Sequence, residues 1–379
     1  MDLNDILHSI LEQCPGSDAE QLKLLQDRYG GLTLEDFQGA VVFGAERLGL
    51  QISKALEDNG IHVMAFSDND SLKWGTGHGG LKVVAPKALD LNRPIIITSK
   101  YVKEIYADLL ELGATKLVPH YVLSLMFSGK IVNKFHRLSA AKINSAKETI
   151  AKAFSLLEDR HSKDLFLSLL KFRITLDPLE LPDPSEALYF PGAFWKLSSR
   201  EVFVDVGACT GDTLEDFLRV SNGSFKKYLA IEADPHNFKI LQKSIPESFS
   251  ERILAFPLGA GAKRHQVPFL FNQGGESRVD LGASSKVEVV PLDELLFDET
   301  VSTIKIDVEG YEKEVLEGAR RTIVQQSPKL AVSVYHNIQD LWEIPLWLER
   351  NNPGYKFYLR HHTPEIYDTV LYCVPVGEA

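Results

Sequence analysis

Val202-Phe203-Val204-Asp205-Val206-Gly207-Ala208-Cys209-Thr210-Gly211-Asp212-Thr213 runs from an apolar stretch through a glycine-bearing turn into the start of a helix. A turn of this kind exposes backbone N–H groups and a helix N-terminus to a ligand. Downstream, Tyr228-Leu229-Ala230-Ile231 forms a second apolar strand and ends in Glu232. An acidic side chain at the end of that strand can accept both hydroxyls of a ribose. Strand, glycine turn, helix, strand and acid together predict a Rossmann-like α/β unit that holds a nucleoside-bearing ligand.

On geometry alone that ligand is either a nicotinamide dinucleotide or S-adenosylmethionine, and one side chain separates the two. A dinucleotide fingerprint wants glycine where Cys209 stands, so that backbone and pyrophosphate can approach without a Cβ between them. S-adenosylmethionine has no phosphate, and Asp205 and the turn amides can meet its amino and carboxylate ends. The predicted cofactor set is therefore Asp205, Gly207, Ala208, Gly211, Asp212, Thr213 and Glu232, joined by Asp307 further along.

Outward from this motif the chain divides into blocks. Residues 1–37 read as two short amphipathic helices, packing or dimer elements, the second opened by Ser17 with Glu20 as a capping box. From 38 to 125 apolar strands alternate with helices: Ala40-Val41-Val42-Phe43, His62 to Phe66, Pro94 to Thr98 and Lys116 to Val118. This is a second Rossmann-like unit, with Gly44-Ala45-Glu46-Arg47-Leu48-Gly49 in its turn and Asp68 after its second strand. Glu46 puts a negative charge where a pyrophosphate would lie, so a degenerate scaffold is favoured over a working NAD site. Gly75-Thr76-Gly77-His78-Gly79-Gly80 reads as a surface turn. Residues 126–196 form a helical connector ending in a proline-rich boundary at Asp177 to Pro184, and 197–379 form the C-terminal domain.

The C-terminal motifs carry a family resemblance. Asp205-Val206-Gly207-Ala208 with Gly211-Asp212-Thr213, Glu232-Ala233-Asp234-Pro235, Pro291-Leu292-Asp293-Glu294-Leu295, Ile304-Lys305-Ile306-Asp307-Val308-Glu309-Gly310-Tyr311-Glu312 and Glu317-Gly318-Ala319 resemble the FkbM family of S-adenosylmethionine-dependent methyltransferases. The resemblance implies a seven-stranded sheet with an antiparallel final strand. It also implies methyl transfer to oxygen on a small-molecule or glycan acceptor, such as a sugar or natural product. Tyr311 and Tyr335-His336 depart from the family's usual residues.

Methyl transfer from a sulfonium needs an aligned acceptor, exclusion of water and usually removal of a proton. Asp307, after the run Ile304-Lys305-Ile306, and His336, after the strand Leu330-Ala331-Val332-Ser333-Val334, stand where open α/β sheets bind ligands, and both are assigned catalytic roles. Three roles stay open for His336. It can be a general base, with an unperturbed pKa of roughly 6.5. It can join Asp307 and Asn337 as a platform for a divalent metal, the less favoured alternative, for which no ligand set is assigned. It can also be a hydrogen-bonded histidine under the substrate loop. Glu309 and Glu312 are expected to cap or orient the following helix, and Glu309 could reach the methionine amino group. His361 and His362 are expected to be solvated in the terminal turn.

Bulk properties narrow the partners. A net charge of -11 argues against nucleic acid and anionic membranes, which are held by clustered Lys and Arg. The acidic Met1-Asp2-Leu3-Asn4 opening is unlike an export signal, and apolar runs fall short of the ~20 residues that span a bilayer. Three scattered cysteines make neither a disulfide framework nor a zinc site, which fits a cytoplasmic protein, alone or as a homo-oligomer. Two other functions compete with methyl transfer: a non-catalytic nucleotide sensor, and an NAD-dependent sugar oxidoreductase using the first unit.

Overall fold

The computed structural model describes residues 2–131, 138–185, 187–271 and 277–377. The chain forms two compact units: 1–147 with 166–183 and 363–366, and 148–165 with 184–362 and 367–379. Both are α/β units with mainly parallel sheets.

The first unit holds a six-stranded sheet. Its order is Gly77–His78, Leu81–Val84, Val63–Ser67, Ala40–Phe43, Ile95–Ile97, Leu117–Pro119. The last five run parallel, and only the short Gly77–His78 strand is antiparallel to its neighbour. Ile95, Ile96 and Ile97 are fully buried, as an apolar triplet inside a covered sheet should be. Ser17 caps its helix through the Glu20 N–H at 3.2 Å, but Glu20 reaches back to the Gly16 N–H rather than to that of Ser17.

The second unit is built on seven strands in chain order: one (Val202–Val206), two (Lys227–Ile231), three (Ile253–Phe256), four (Thr303–Ile306), five (Lys329–Ser333), six (Tyr355–His361) and seven (Thr369–Pro375). Their order in space is six, seven, five, four, one, two, three, with strand seven inserted antiparallel between five and six. Strands one to five are parallel, so the site falls at their shared carboxyl ends, where strand order reverses beside strand one. An aromatic cluster including Phe203, Phe217 and Tyr228 fills one face, with Phe203 and Tyr228 stacked 5.3 Å apart. The segment 148–165 belongs to this unit: the Glu158 N–H bonds the Phe357 carbonyl, and Asp159 pairs with Arg360 at 2.6 Å.

A second, four-stranded sheet is inserted between strands three and four, in the order Gly259–Ala260, Lys286–Val290, His265–Leu270, Arg278–Val279. Its apolar face is a small cluster of Val267, Phe269, Val287 and Val289, with Tyr311 packed against it.

Among the described residues no helix is long and apolar enough to cross a membrane.

Candidate active site

Strands one and four are neighbours in register, and Lys305 lies directly opposite Asp205. That pairing produces a buried network. The Lys305 ammonium sits 2.9 Å from Asp205 and donates to the Gly207 carbonyl at 2.6 Å, while the Tyr228 hydroxyl donates to Asp205 at 2.6 Å. Asp205 is therefore turned inward, fully buried, with its carboxylate engaged by Lys305 and Tyr228. The sequence expectation that it meets a ligand's amino group is corrected: it holds the turn from behind. Burial raises its pKa against the pull of Lys305.

The turn itself is forced open by close packing. Gly207 has φ +80°, and a Cβ there would lie 1.8 Å from the Asp307 carbonyl. Only glycine permits strands one and four to approach so closely at their ends. Cys209 follows at φ +46°, a left-handed conformation that glycine would adopt without strain. Its N–H donates to Glu232 at 2.9 Å, and the Asp234 N–H donates to the other Glu232 oxygen at 2.7 Å. Glu232 thus ties the first glycine turn to the loop after strand two. Burial pushes its pKa up to about 7, against the two amide donors.

Between these loops and the inserted sheet lies an open cleft. Gly207, Cys209, Glu232, Asp307 and Glu309 line its polar side; Val267, Phe269, Val287, Val289 and Tyr311 line its apolar side. Of the sequence-predicted residues, Gly207, Glu232 and Asp307 face this cleft. Asp205, Ala208, Gly211, Asp212, Thr213 and His336 do not line it. Ala208 and Thr213 are buried, and Gly211 and Asp212 border a separate groove with Ser244 and Pro246. The apolar wall was missed by sequence reading. Its one legible trace is the alternation of Lys286-Val287-Glu288-Val289, exposed then buried.

The second half of the site follows strand four. Asp307 accepts from the Tyr189 hydroxyl at 2.6 Å and, at 3.4 Å, from Tyr335. Burial opposes its charge, but Lys305 and then His336 hold its pKa below the usual carboxylate value. Glu309 (φ +54°) and Gly310 (φ +98°) then form two successive left-handed residues. Glu312 closes this tight loop, accepting from the Val308 and Gly310 N–H groups at 3.1 and 3.2 Å, so its bonds go to the loop before the helix that it is expected to cap or orient.

His336 stands against this loop with 9% of its side chain exposed. Its Nδ1 is 2.8 Å from Glu312, and its Nε2 is 3.5 Å from Glu309 and 3.7 Å from Asp307. Burial alone would lower its pKa, but the charges of Glu312, Glu309 and Asp307 hold it well above its ordinary value. The premise of an unperturbed imidazole is thereby replaced: the surrounding carboxylates favour the protonated ring. Burial, then Glu312, pushes Asp340 up to about 6, and burial, then Asp307, does the same for Asp368. Asn337 donates to Asp340 at 3.1 Å rather than joining Asp307. His361 is fully buried on strand six, bonded to Thr369 at 2.9 Å, so the expectation of a solvated histidine fails there; His362 bonds Tyr372.

In the first unit Asp68 accepts the Ala45 N–H and the Lys73 ammonium, both at 2.9 Å, and Glu46 pairs with the same lysine at 3.2 Å. The carboxylate that would bind a ribose is thus held by its own turn and lysine.

Residues 205–357 match the family model described as the methyltransferase FkbM domain. A crystal structure of the methyltransferase FkbM from Methylobacillus flagellatus is 23% identical, with a TM-score of 0.75 over 98% of this chain and 99% of that one. An rRNA methylase from Streptococcus thermophilus is 13% identical over 47% of this chain and 88% of its own, with a TM-score of 0.31. No curated protein matches the chain. The stretch 205–357, which holds the glycine turn after strand one and the Asp-Val-Glu-Gly loop after strand four, thus matches the methyltransferase FkbM domain, and the chain shares its fold with the Methylobacillus structure.

Proposed function

We propose that the cleft binds S-adenosylmethionine and that the enzyme methylates a hydroxyl oxygen on a sugar, glycan or natural product. The observation that carries the cofactor is the sign of the lining. Glu232, Asp307 and Glu309 are its charged residues, and among the described residues that line it none is Lys or Arg. A pyrophosphate finds no counter-charge there, whereas a sulfonium and an ammonium do. Gly207, whose missing Cβ lets the turn pack against the Asp307 carbonyl, lines the same cleft.

Glu232 would hold the ribose hydroxyls, the amides of the Gly207 turn the carboxylate end, and the Val267, Phe269 and Val289 wall the adenine. When bound, the cofactor supplies an electrophilic methyl on a positively charged sulfur. Asp307, ionised and fixed by Tyr189, takes the hydroxyl proton as the acceptor oxygen gains the methyl. His336 acts from behind it as a positioning group rather than as the base. The apolar wall keeps water from competing with the acceptor.

Calorimetric titration of the purified protein with S-adenosylmethionine and, separately, with NAD tests the reading. Uptake of S-adenosylmethionine alone is expected, and its absence overturns the proposal. Methylated products of a hydroxyl-compound panel, identified by mass spectrometry, then decide the acceptor atom.

A further inference from the structure

His336 and Glu312 are both deeply buried, and each leaves one polar atom open. The His336 side chain is nine-tenths buried; its Nδ1 lies 2.8 Å from Glu312, while its Nε2 has no hydrogen-bond partner among the described residues. Glu312 is 1% exposed, and its Oε2 has no hydrogen-bond partner. Buried polar atoms left open in this way cost free energy unless something binds them.

What they face is a set of carboxylates. Asp307, Glu312 and His336 each offer one donor atom, and these atoms lie within 4.8 Å of one another. Glu309 stands 3.5 Å from Nε2, too long for a good hydrogen bond and close to the spacing of two ligands on one ion. Asp340 and Asp368 lie in the same electrostatic neighbourhood. Lys305 is committed to Asp205 and the Gly207 carbonyl, and Lys313 to Glu343 at 2.6 Å, so neither closes this cage. Glu309 takes a left-handed conformation that is strained for a residue with a side chain, where the loop passes the imidazole.

We propose that Asp307, Glu312 and His336, with Glu309 beside them, form a binding site for a first-row divalent cation. One imidazole with carboxylate oxygens suits Mn²⁺, Fe²⁺, Co²⁺ or Zn²⁺, while Ca²⁺ and Mg²⁺ prefer oxygen alone. The assignment differs from a strand-five pair of His336 and Asn337, because Asn337 is engaged with Asp340 and Glu312 takes its place. The inference rests on the same strand-end site as the proposed reaction, and its test is independent of turnover.

Full-length protein is stripped with a chelator, dialysed and titrated with Mn²⁺, followed by the free-ion electron paramagnetic resonance signal, and with Zn²⁺ by calorimetry. One equivalent is expected to bind, with nitrogen hyperfine coupling from one imidazole on the bound Mn²⁺. His336→Gln should lose at least tenfold in affinity, and Glu309→Gln less. The nitrogen coupling on unmodified protein decides the matter even where a variant fails to fold. No uptake at millimolar Mn²⁺ and Zn²⁺, or uptake without nitrogen coupling, overturns the site and leaves a protonated His336 as the cage's cation. Binding of S-adenosylmethionine without metal uptake sinks this inference alone, and metal uptake without S-adenosylmethionine binding sinks the cofactor reading alone.

Discussion

Each Glu232 oxygen accepts a backbone N–H, and the residue also lines the cleft. Its folded pKa of about 7 lies above the ordinary 4.5, with burial as the leading cause. For the free protein the sign is unfavourable to ionisation. Stability contributed by the protonated acid is present below about 4.5 and is lost as pH rises through about 7. Ligand binding has the opposite sign, because ribose hydroxyls donate to the ionised form. Affinity for S-adenosylmethionine should therefore weaken by up to about tenfold per pH unit below 7 and level off above it. Calorimetry from pH 5.5 to 8.5 measures this, and Glu232→Gln should flatten the profile while weakening binding by roughly 1.5–3 kcal/mol. A profile that is already flat in the unmodified protein would remove Glu232 from the cofactor site. Its position at the end of an apolar strand was legible in the sequence; its grip on Cys209 was not, because a side-chain bond to a turn 23 residues earlier leaves no local pattern.

At the scale of elements, strands one, two, four and five could be read because each is an apolar run buried over most of its length, bounded by a turn or an acid. The inserted sheet could not. Its strands are short and half exposed, two of them having only two residues, so their identity comes from pairing partners rather than from periodicity. The same holds for Lys305, a lysine inside a buried strand, which makes sense only once the register sets it opposite Asp205. Replacing it tests that pairing. Lys305→Met leaves Asp205 buried without a counter-charge and should cost about 3–5 kcal/mol in denaturant unfolding. Adding Asp205→Asn should recover a large part of the loss; a double variant no more stable than the single one would show that the lysine acts through packing instead. Phe269 tests the inserted sheet. Phe269→Ala should weaken S-adenosylmethionine binding about tenfold, near 1.4 kcal/mol, with little change in turnover at saturation. Unchanged affinity would place the adenine elsewhere.

For the molecule as a whole, two α/β units share one plan: a strand, a turn and an acid at the end of the next strand that accepts the turn's amide. In the first unit that acid also binds Lys73, and Glu46 stands in the turn, so NAD should give no binding heat there. Charge carries the argument further, to the class of acceptor. The chain holds 52 acidic against 41 basic residues, and the charged residues lining the cleft are Glu232, Asp307 and Glu309. A polyanionic acceptor would have to be drawn in by Lys and Arg that release its counterions. With net charge -11 and a carboxylate-lined cleft, that attraction is replaced by repulsion over the reach of the Debye length, about 8 Å at physiological salt. Neutral hydroxyl compounds escape this penalty. The protein should accordingly pass unretained over immobilised heparin at 0.15 M salt, and added RNA should neither inhibit methyl transfer nor become labelled. Retention that falls steeply with rising salt would reveal a basic surface the overall charge conceals, and would move the acceptor from neutral hydroxyl compounds to nucleic acid.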